Sequence, residues 1–392
     1  MAAETIMLAS FVLLAWTYLL YPALVLSLAA RKNRHRTKES GLTTSSDRAH
    51  PSVSIIMSVH NEAKVIEEKV RSMMVSDYPP DITEFIIGSD ASDDDTIRIL
   101  QELSAVDSRI RFIGYEERRG KPAVLNDLIR EASGEVLIIT DANVIFSPDT
   151  VRSLAEGFRL DGTGLCDATV VPRTRIESGI TRQENFYSRF ETTLKRSEGI
   201  LWDTIPGPYG GCYAIRRELF PLLPYNTLVD DLYVGLTVMK RGFASRNIPG
   251  AKVFEDIQPG MSEQFSRRIR IAAGSYQNLF RFGPFPSRKM NVSFAFFSHK
   301  VLRWLTPLFL ILFFMTTVIL SSRSQIYFCL SAIQLILIFL SALDLVLDRY
   351  GRMIRYQRYV TQFLMMNAAL VAGFARAAGG IGSGIWEPTK RV

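Results

Sequence analysis

Glu84-Phe85-Ile86-Ile87-Gly88-Ser89-Asp90-Ala91-Ser92-Asp93-Asp94-Asp95-Thr96 is a short apolar run that breaks into a turn of serine and aspartate. Glu84 to Gly88 reads as a strand buried on both faces. Asp94 to Leu103 then brings Ile97, Leu100 and Leu103 back at the spacing of a helix with one inward face. The same unit recurs on either side. Val53 to Val59 is a strand of mostly branched residues that ends in His60-Asn61-Glu62. Asn61 offers an N-cap to a helix carrying Val65, Ile66, Val70, Met73 and Met74 on one face. Arg111 to Tyr115 is a third strand, and Pro122 to Ala132 a helix with Val124, Leu125, Leu128 and Ile129 together. Val136 to Thr140 is a fourth strand. Alternation at this spacing predicts an α/β domain with a mostly parallel sheet and right-handed crossovers, whose ligands bind beyond the carboxyl ends of the strands.

Three of those four ends carry carboxylates: His60-Asn61-Glu62, Ser89 to Thr96, and Asp141-Ala142-Asn143. Taken singly each has an ordinary structural reading. Asn61-Glu62 suits a helix start, and Asp93 to Asp95 suit the positive end of a helix dipole. Their recurrence at successive strand ends instead gathers acids in one crevice. Such a crevice repels a phosphate ligand unless a divalent cation lies between them, and magnesium or manganese accepts these oxygen donors.

The chain has 392 residues, a net charge of +7 and 47% hydrophobic residues, unevenly spread. Thr5 to Ala30 is apolar over more than the ~20 residues that cross a bilayer, and no basic region precedes it as in a secretory signal. Arg31, Lys32, Arg34, Arg36 and Lys38 close it. By the positive-inside rule this orients a retained helix (5–30) and a basic linker (31–50) so that the central domain (51–283) is cytoplasmic. Leu305 to Leu320 and Gln325 to Leu347, joined at Ser321 to Ser324, predict a transmembrane hairpin within 301–347. Asp344 lies near its cytoplasmic end, where snorkelling to water is the simple reading. A further stretch, 359–377, is interrupted by Gln362, Asn367 and Arg376 and reads as a fourth transmembrane or a re-entrant segment, before a tail at 378–392.

The expected setting is a multi-pass protein of the plasma (inner) membrane. Much of the charge excess, including Arg349, Arg352, Arg355 and Arg358, flanks apolar stretches and suits anionic lipids; nucleic acid is not an expected partner. Cys166, Cys212 and Cys329 are isolated, which suits a reduced compartment without disulfides, and four scattered histidines argue against zinc.

Residues 51–283 resemble a glycosyltransferase family 2 domain of the cellulose-synthase-like and hyaluronan-synthase-like polysaccharide synthases. The resemblance implies the glycosyltransferase A fold, a mostly parallel Rossmann-like sheet, and a UDP-sugar donor bound with Mg2+ or Mn2+. Asn61-Glu62 resembles the family's Asn-Glu, and Ser89 to Asp94 its Asp-Gly-Ser-Thr-Asp turn, which makes Asp90 the uracil-contacting acid. Gly120-Lys121-Pro122-Ala123-Val124-Leu125-Asn126 is similar to the Gly-Lys-x-x-x-Leu-Asn element. Asp141-Ala142-Asn143 is similar to Asp-x-Asp, so Asp141 and Asn143 are implied metal ligands.

Leu228-Val229-Asp230-Asp231-Leu232 resembles Thr-Glu-Asp, which makes Asp231 the catalytic base and sets Asp230 beside the acceptor. Gln264-Phe265-Ser266-Arg267-Arg268, in interfacial helices near 262–282, is similar to Gln-x-x-Arg-Trp. It adds Gln264, Arg267 and Arg268 to the donor set of Asn61, Glu62, Asp90, Lys121 and Asp141. Arg267 meets the diphosphate, while Arg270 suits lipid headgroups.

Gly210, Gly211 and Cys212 resemble the acceptor-side segment, where Tyr209 and Tyr213 are placed to stack on sugars. Trp386 to Arg391 looks like a Trp-x-x-Thr-x-Arg tail. Two features depart from the family, Arg268 for its tryptophan and Asn143 for its second acid. The implied activity is inverting transfer to a growing polysaccharide with export, aided by a homo-oligomer or export subunits. Single-sugar transfer to a lipid-linked acceptor is the alternative, and a non-catalytic nucleotide-sugar sensor a third. The identity of the sugar depends on pocket shape, which no motif reports.

Overall fold

A computed structural model describes residues 1–39, 49–173, 180–256, 261–348, 350 and 357–385. The basic residues Arg349, Arg352 and Arg355 and the segment Trp386 to Arg391 lie outside them, as do the side chains of Arg34, Arg36 and Lys38. The helices are α1 (Ala2–Ala15), which runs through a π-turn into α2 (Tyr21–Glu39), then α3 (Ile66–Met74), α4 (Thr96–Val106), α5 (Lys121–Glu131), α6 (Thr150–Glu156) and α7 (Ile180–Trp202). They continue with α8 (Asp230–Lys240), α9 (Met261–Phe282), α10 (Met290–Phe296), α11 (Leu302–Trp304), α12 (Thr306–Leu320), α13 (Gln325–Asp348) and α14 (Gln357–Ala378).

The strands are β1 (Val53–Val59), β2 (Thr83–Asp90), β3 (Ile110–Tyr115), β4 (Val136–Thr140), β5 (Val144–Phe146), β6 (Thr163–Pro172), β7 (Cys212–Arg216) and β8 (Ala244–Glu255). Among the described residues they form one sheet in the order β3-β2-β1-β4-β7-β6-β8-β5. The four strands expected from the alternation are all present, and β3-β2-β1-β4 is parallel throughout. The second half is mixed. β7 enters antiparallel between β4 and β6, β6 and β8 are parallel, and β5 is antiparallel to β8. The expectation of a mostly parallel sheet therefore holds for one half only, because β7 returns from the long helix α7 rather than from a βαβ crossover. Both faces of the parallel half are covered: Ile55, Met57, Ile87 and Ile138 pack toward α3 and α4, and Ile56, Ile86 and Ile139 toward α5.

Asn61 is not an N-cap. Its φ is +54°, and its side-chain oxygen accepts the Asp93 N–H at 3.0 Å, while α3 begins only at Ile66. The first two strand-end turns are thus tied to each other.

Among the described residues three helical stretches are long and apolar enough to cross a bilayer: Ala2–Asn33, Gln325–Asp348 and Gln357–Ala378. Met290–Trp304 and Thr306–Leu320 add a fourth if counted as one, although they bend by 57° between them. The first hairpin arm thus starts well before Leu305, and it breaks at Leu305, where Pro307 enters the first turn of α12. A buried ionic cluster joins this arm to the α/β domain. Glu198 of α7 accepts the Tyr21 hydroxyl at 2.6 Å and meets His299 Nδ1 at 2.9 Å, and Glu191 pairs with Lys300 and Arg303, both at 2.6 Å.

The stretch α14 starts beside α13, where Gln357 donates to the Ser341 hydroxyl at 2.9 Å. It passes Tyr18 at Phe363 and then lies along α9, so close that a Cβ at Gly373 would meet Ala272 Cβ at 2.4 Å. Beyond it the chain returns to the α/β domain: Asn226 donates to the Ile381 carbonyl at 2.9 Å, and Gly384 N–H to the Tyr225 carbonyl at 3.2 Å.

Asp344 does not snorkel. It is fully buried, and its carboxylate lies 3.5 Å from the guanidinium of Arg358, itself 2% exposed and also 2.5 Å from Asp348. A charge held that deep requires a partner, and Arg358, expected at lipid headgroups, supplies it.

Candidate active site

The crevice at the carboxyl ends of β1, β2 and β4 is lined by His60, Glu62, Asp90, Lys121, Asp141 and Asn143 among others. Glu62 is set by its backbone N–H, which donates to Thr96 Oγ1 at 2.9 Å. Asp90 is buried, and its two oxygens accept the backbone N–H groups of Arg119 at 2.7 Å and Gly120 at 2.9 Å, with Arg118 Nε at 3.3 Å. The acid expected to read a base thus also fixes the Gly120 turn. A carboxylate has about four acceptor positions, so contact with a base draws on those that remain. Gly120 itself has φ +84°, a conformation that favours glycine, and Ile385 packs on it.

Lys121 is the centre of the site. Its ammonium lies 2.9 Å from Asp141 Oδ1 and 3.4 Å from Asp230 Oδ2, so it joins the strand-end turn to the start of α8. Burial opposes its charge, but Asp141 and Asp230 outweigh that and hold the group above its ordinary value. Burial likewise pushes the Asp141 carboxyl up, and Lys121 reverses this, leaving it below the usual range. Beneath the turn Lys69 is fully buried and donates to Thr140 Oγ1 at 2.9 Å and to the Val144 carbonyl, tying together the residues on either side of Asp141-Ala142-Asn143. Burial pushes Lys69 down to about 7.

Asp231 opens α8 against Gly210, where a Cβ would come 2.9 Å from Asp231 Oδ2. Burial, followed by the like charge of Asp230, pushes the Asp231 carboxyl up to about 7. Gly211 continues the link. Its carbonyl accepts the Asp141 N–H at 3.0 Å, so Asp141 and Asp231 flank one Gly-Gly step. Gly210→Ala is expected to lower kcat at least about tenfold, since an ångström-scale displacement of a reacting group has effects of this size. Steady-state kinetics with unchanged nucleotide affinity checks it.

The helix α9 holds this loop from behind. Arg270 donates to the Leu228 carbonyl at 3.3 Å and Asn278 to that of Val229 at 3.1 Å. Arg270 is therefore turned to the loop before α8 rather than to lipid headgroups. Cys212 and Tyr213 are also corrected: both are fully buried in the sheet, and burial pushes the Cys212 thiol up to about 12. Neither side chain is placed to touch an acceptor.

Gln264, Arg267 and Arg268 do not line the strand-end crevice. They line an adjoining cavity of about 300 Å³, together with Asp167, Lys195, Tyr209 and Glu255. Glu255, at the end of β8, joins the two spaces: it accepts from Asn143 Nδ2 at 3.0 Å and from the Tyr209 hydroxyl, and lies 3.6 Å from Arg267. Asp167 accepts the Tyr209 N–H at 2.6 Å and lies 3.8 Å from Lys195. Glu255 and Asp167 were missed because the strand-end reading stopped at β4. Applied to β8, the same rule finds Glu255.

Among the described residues no three His, Cys, Asp or Glu side chains are grouped to hold a metal. Of the acids that line the crevice, Asp90 is engaged by the Arg119 and Gly120 N–H groups, and the expected metal pair is Asp141 with the amide oxygen of Asn143, whose nitrogen is committed to Glu255. That sparse set fits a hard ion that keeps waters and draws its other ligands from a phosphate-bearing substrate.

A mixed, curled sheet with acids at its strand ends and helices on both faces is a glycosyltransferase-A-like fold. A mannosyltransferase from Pyrobaculum calidifontis, solved with GDP-Man and Mn2+, shares it with a TM-score of 0.69 and 22% identity, covering 95% of this chain and 99% of that one. Residues 54–222 match the family model Glycosyl transferase family 2. Curated relatives include an N-acetylglucosaminyltransferase of Azorhizobium caulinodans, 22% identical over 62% of this chain and 64% of that protein. Another is a poly-beta-1,6-N-acetyl-D-glucosamine synthase of Staphylococcus aureus, 25% identical over 58% of this chain and 56% of that protein. The chain thus spans less than two thirds of the length of either relative.

Proposed function

We propose that this protein is an inverting glycosyltransferase at the cytoplasmic face of the membrane, moving a sugar from a UDP-sugar to a hydroxyl of a growing polysaccharide. The observation that carries the reading is the line Asp141–Lys121–Asp230, with Asp231 beside it at Gly210. It joins a diphosphate-type crevice to a carboxylate of raised pKa.

In the proposed reaction the acceptor oxygen attacks the anomeric carbon from the face opposite the diphosphate. The carbon–oxygen bond to the diphosphate breaks, and Asp231 takes the acceptor proton. Lys121 meets the charge left on the donor side, and Asp141 with Asn143 would hold Mg2+ or Mn2+. When bound, such an ion compensates the departing diphosphate. The name of the staphylococcal relative supports a polysaccharide product, and the manganese in the archaeal mannosyltransferase supports a divalent ion. Single-sugar transfer to a lipid-linked acceptor is a second reading, favoured by Arg268 and by the apolar cavity that adjoins it.

The test is to incubate the purified full chain and manganese with labelled UDP-glucose, UDP-N-acetylglucosamine and GDP-mannose in turn, then to size the products. A ladder from a UDP-sugar is expected. Transfer from GDP-mannose alone overturns the donor, one added sugar overturns the polymer, and tight nucleotide binding with no transfer identifies a sensor.

The pH profile is a further prediction. Asp231 must be unprotonated to act, so kcat/KM falls about tenfold per unit as pH drops below about 7. Asp230→Asn moves that limb to lower pH by removing the like charge. Lys69→Met keeps the limb, which separates Asp231 from the buried lysine that also titrates near 7.

A further inference from the structure

A second cavity, of about 380 Å³, lies where α9, α14, Tyr18 of the N-terminal helix and the bend at Trp304 meet. Most of its wall is apolar, including Phe363, Met366 and Leu370 of α14 and Ile271 of α9. Arg268 and Ile271 line both this cavity and the one that holds Tyr209 and Glu255. Arg303 faces the apolar cavity while its ion-pair partner Glu191, 2.6 Å away, faces the other. The two spaces are therefore neighbours that meet at two guanidinium groups. One polar atom inside the apolar part lacks a partner: Asn367 is 6% exposed, its Nδ2 donates to the Phe363 carbonyl at 2.8 Å, and its Oδ1 accepts no hydrogen bond.

We propose that this cavity seats the hydrocarbon chain of a phosphate-bearing lipid, with Arg268 and Arg303 at its phosphate and the head directed toward Tyr209 and Asp231. The inference rests on the glycosyl-transfer reading of the adjoining crevice and names the class of its acceptor. Charge and continuity decide the occupant. The side of the wall formed by Tyr18 and α14 belongs to helices of bilayer length and composition, so a hydrocarbon chain enters from that side without crossing water. Three acids of the neighbouring cavity have cations beside them, Asp167 near Lys195, Glu255 near Arg267 and Glu191 near Lys300 and Arg303, so these three do not present bare charge to a phosphate. A guanidinium pair is the side-chain chemistry that meets phosphate oxygens best. The unpartnered Asn367 oxygen suits a hydroxyl donor of the same lipid. Arg268 then has a reason to replace a tryptophan.

The experiment uses the full chain in phosphatidylcholine nanodiscs doped with phosphatidic acid whose acyl chain carries a diazirine. Diacylglycerol with the same tail serves as the control. After illumination, labelled peptides are mapped. Label on Phe363, Met366 or Leu370 is expected at five times the control or more. Met366→Trp, which fills the cavity, is expected to lower it about tenfold while calorimetric binding of UDP with manganese is unchanged. Leu370→Trp serves as a second filling variant if the first does not fold. Equal labelling by both probes overturns the phosphate assignment, as does label confined to the outward face of α13 at Ile336 and Phe339. Loss of UDP binding by the unaltered chain would sink the transfer reading instead, and the labelling pattern would still judge the cavity.

Discussion

Asp231→Asn is expected to lower kcat by about 10²- to 10⁴-fold while the affinity for UDP with manganese stays within about twofold. The amide keeps the shape of the carboxylate at the head of α8 and its clearance from Gly210, but it cannot accept the acceptor's proton. Neither Asp141 nor Lys121 loses a partner, because the salt links of Lys121 run to Asp141 and Asp230. A base assignment therefore predicts a loss in turnover alone. Quench-flow kinetics for turnover and calorimetry for UDP binding give the two quantities separately. If nucleotide affinity fell as far as turnover, Asp231 would be part of the donor site; if turnover were unchanged, another group would be the base. Asp141→Asn should behave oppositely, weakening manganese-dependent nucleotide binding as well as turnover.

The second large effect lies far from the crevice. Arg358→Leu is expected to destabilise the protein by about 3–5 kcal/mol, because it strands Asp344 as a buried charge without its guanidinium. The double variant with Asp344→Leu should regain most of that loss, since two apolar residues in place of a buried pair are often neutral or better. Denaturation in detergent, followed by intrinsic fluorescence and compared across the two single variants and the double, measures the coupling. Equal loss in Arg358→Leu and the double variant would show that the pair contributes by shape rather than by charge. Because α14 also carries residues 381–385 to the Gly120 turn, the single variant should lose nucleotide affinity along with stability.

How much of this was legible in the sequence differs between the two halves of the domain. The strands Val53–Val59 and Val136–Thr140 stand where the apolar runs placed them, and the helices between start and stop within a few residues of expectation. Burial on both faces writes an unbroken apolar run, and a helix beside it writes a three-and-four period; both are signals between near neighbours in the chain. The same locality made Asp90 and Asp141 findable, because an acid at the end of a buried strand is marked by the strand itself, whereas Lys121, at the start of α5, was implied only by the resemblance of Gly120 to Asn126 to a family element. After β4 that logic stops. β7 is five residues long and pairs antiparallel with β4, and nothing in Cys212 to Arg216 states which strand it joins.

The membrane-type helices show the same division. Their length and apolarity were plain, but the pairing of Asp344 with Arg358, the run of α14 along α9 and the turn of Arg270 toward Leu228 were not. Each depends on which helix faces which. The strand-end aspartates were thus determined by the sequence alone, through local period and turn chemistry. Only the tertiary structure decided that Lys121 bridges Asp141 to Asp230, that Glu255 links Asn143 to Tyr209, and that Arg268 faces an apolar cavity. Those contacts join residues that are distant in the chain, and they form only when the packing of sheet and helices brings the side chains within reach.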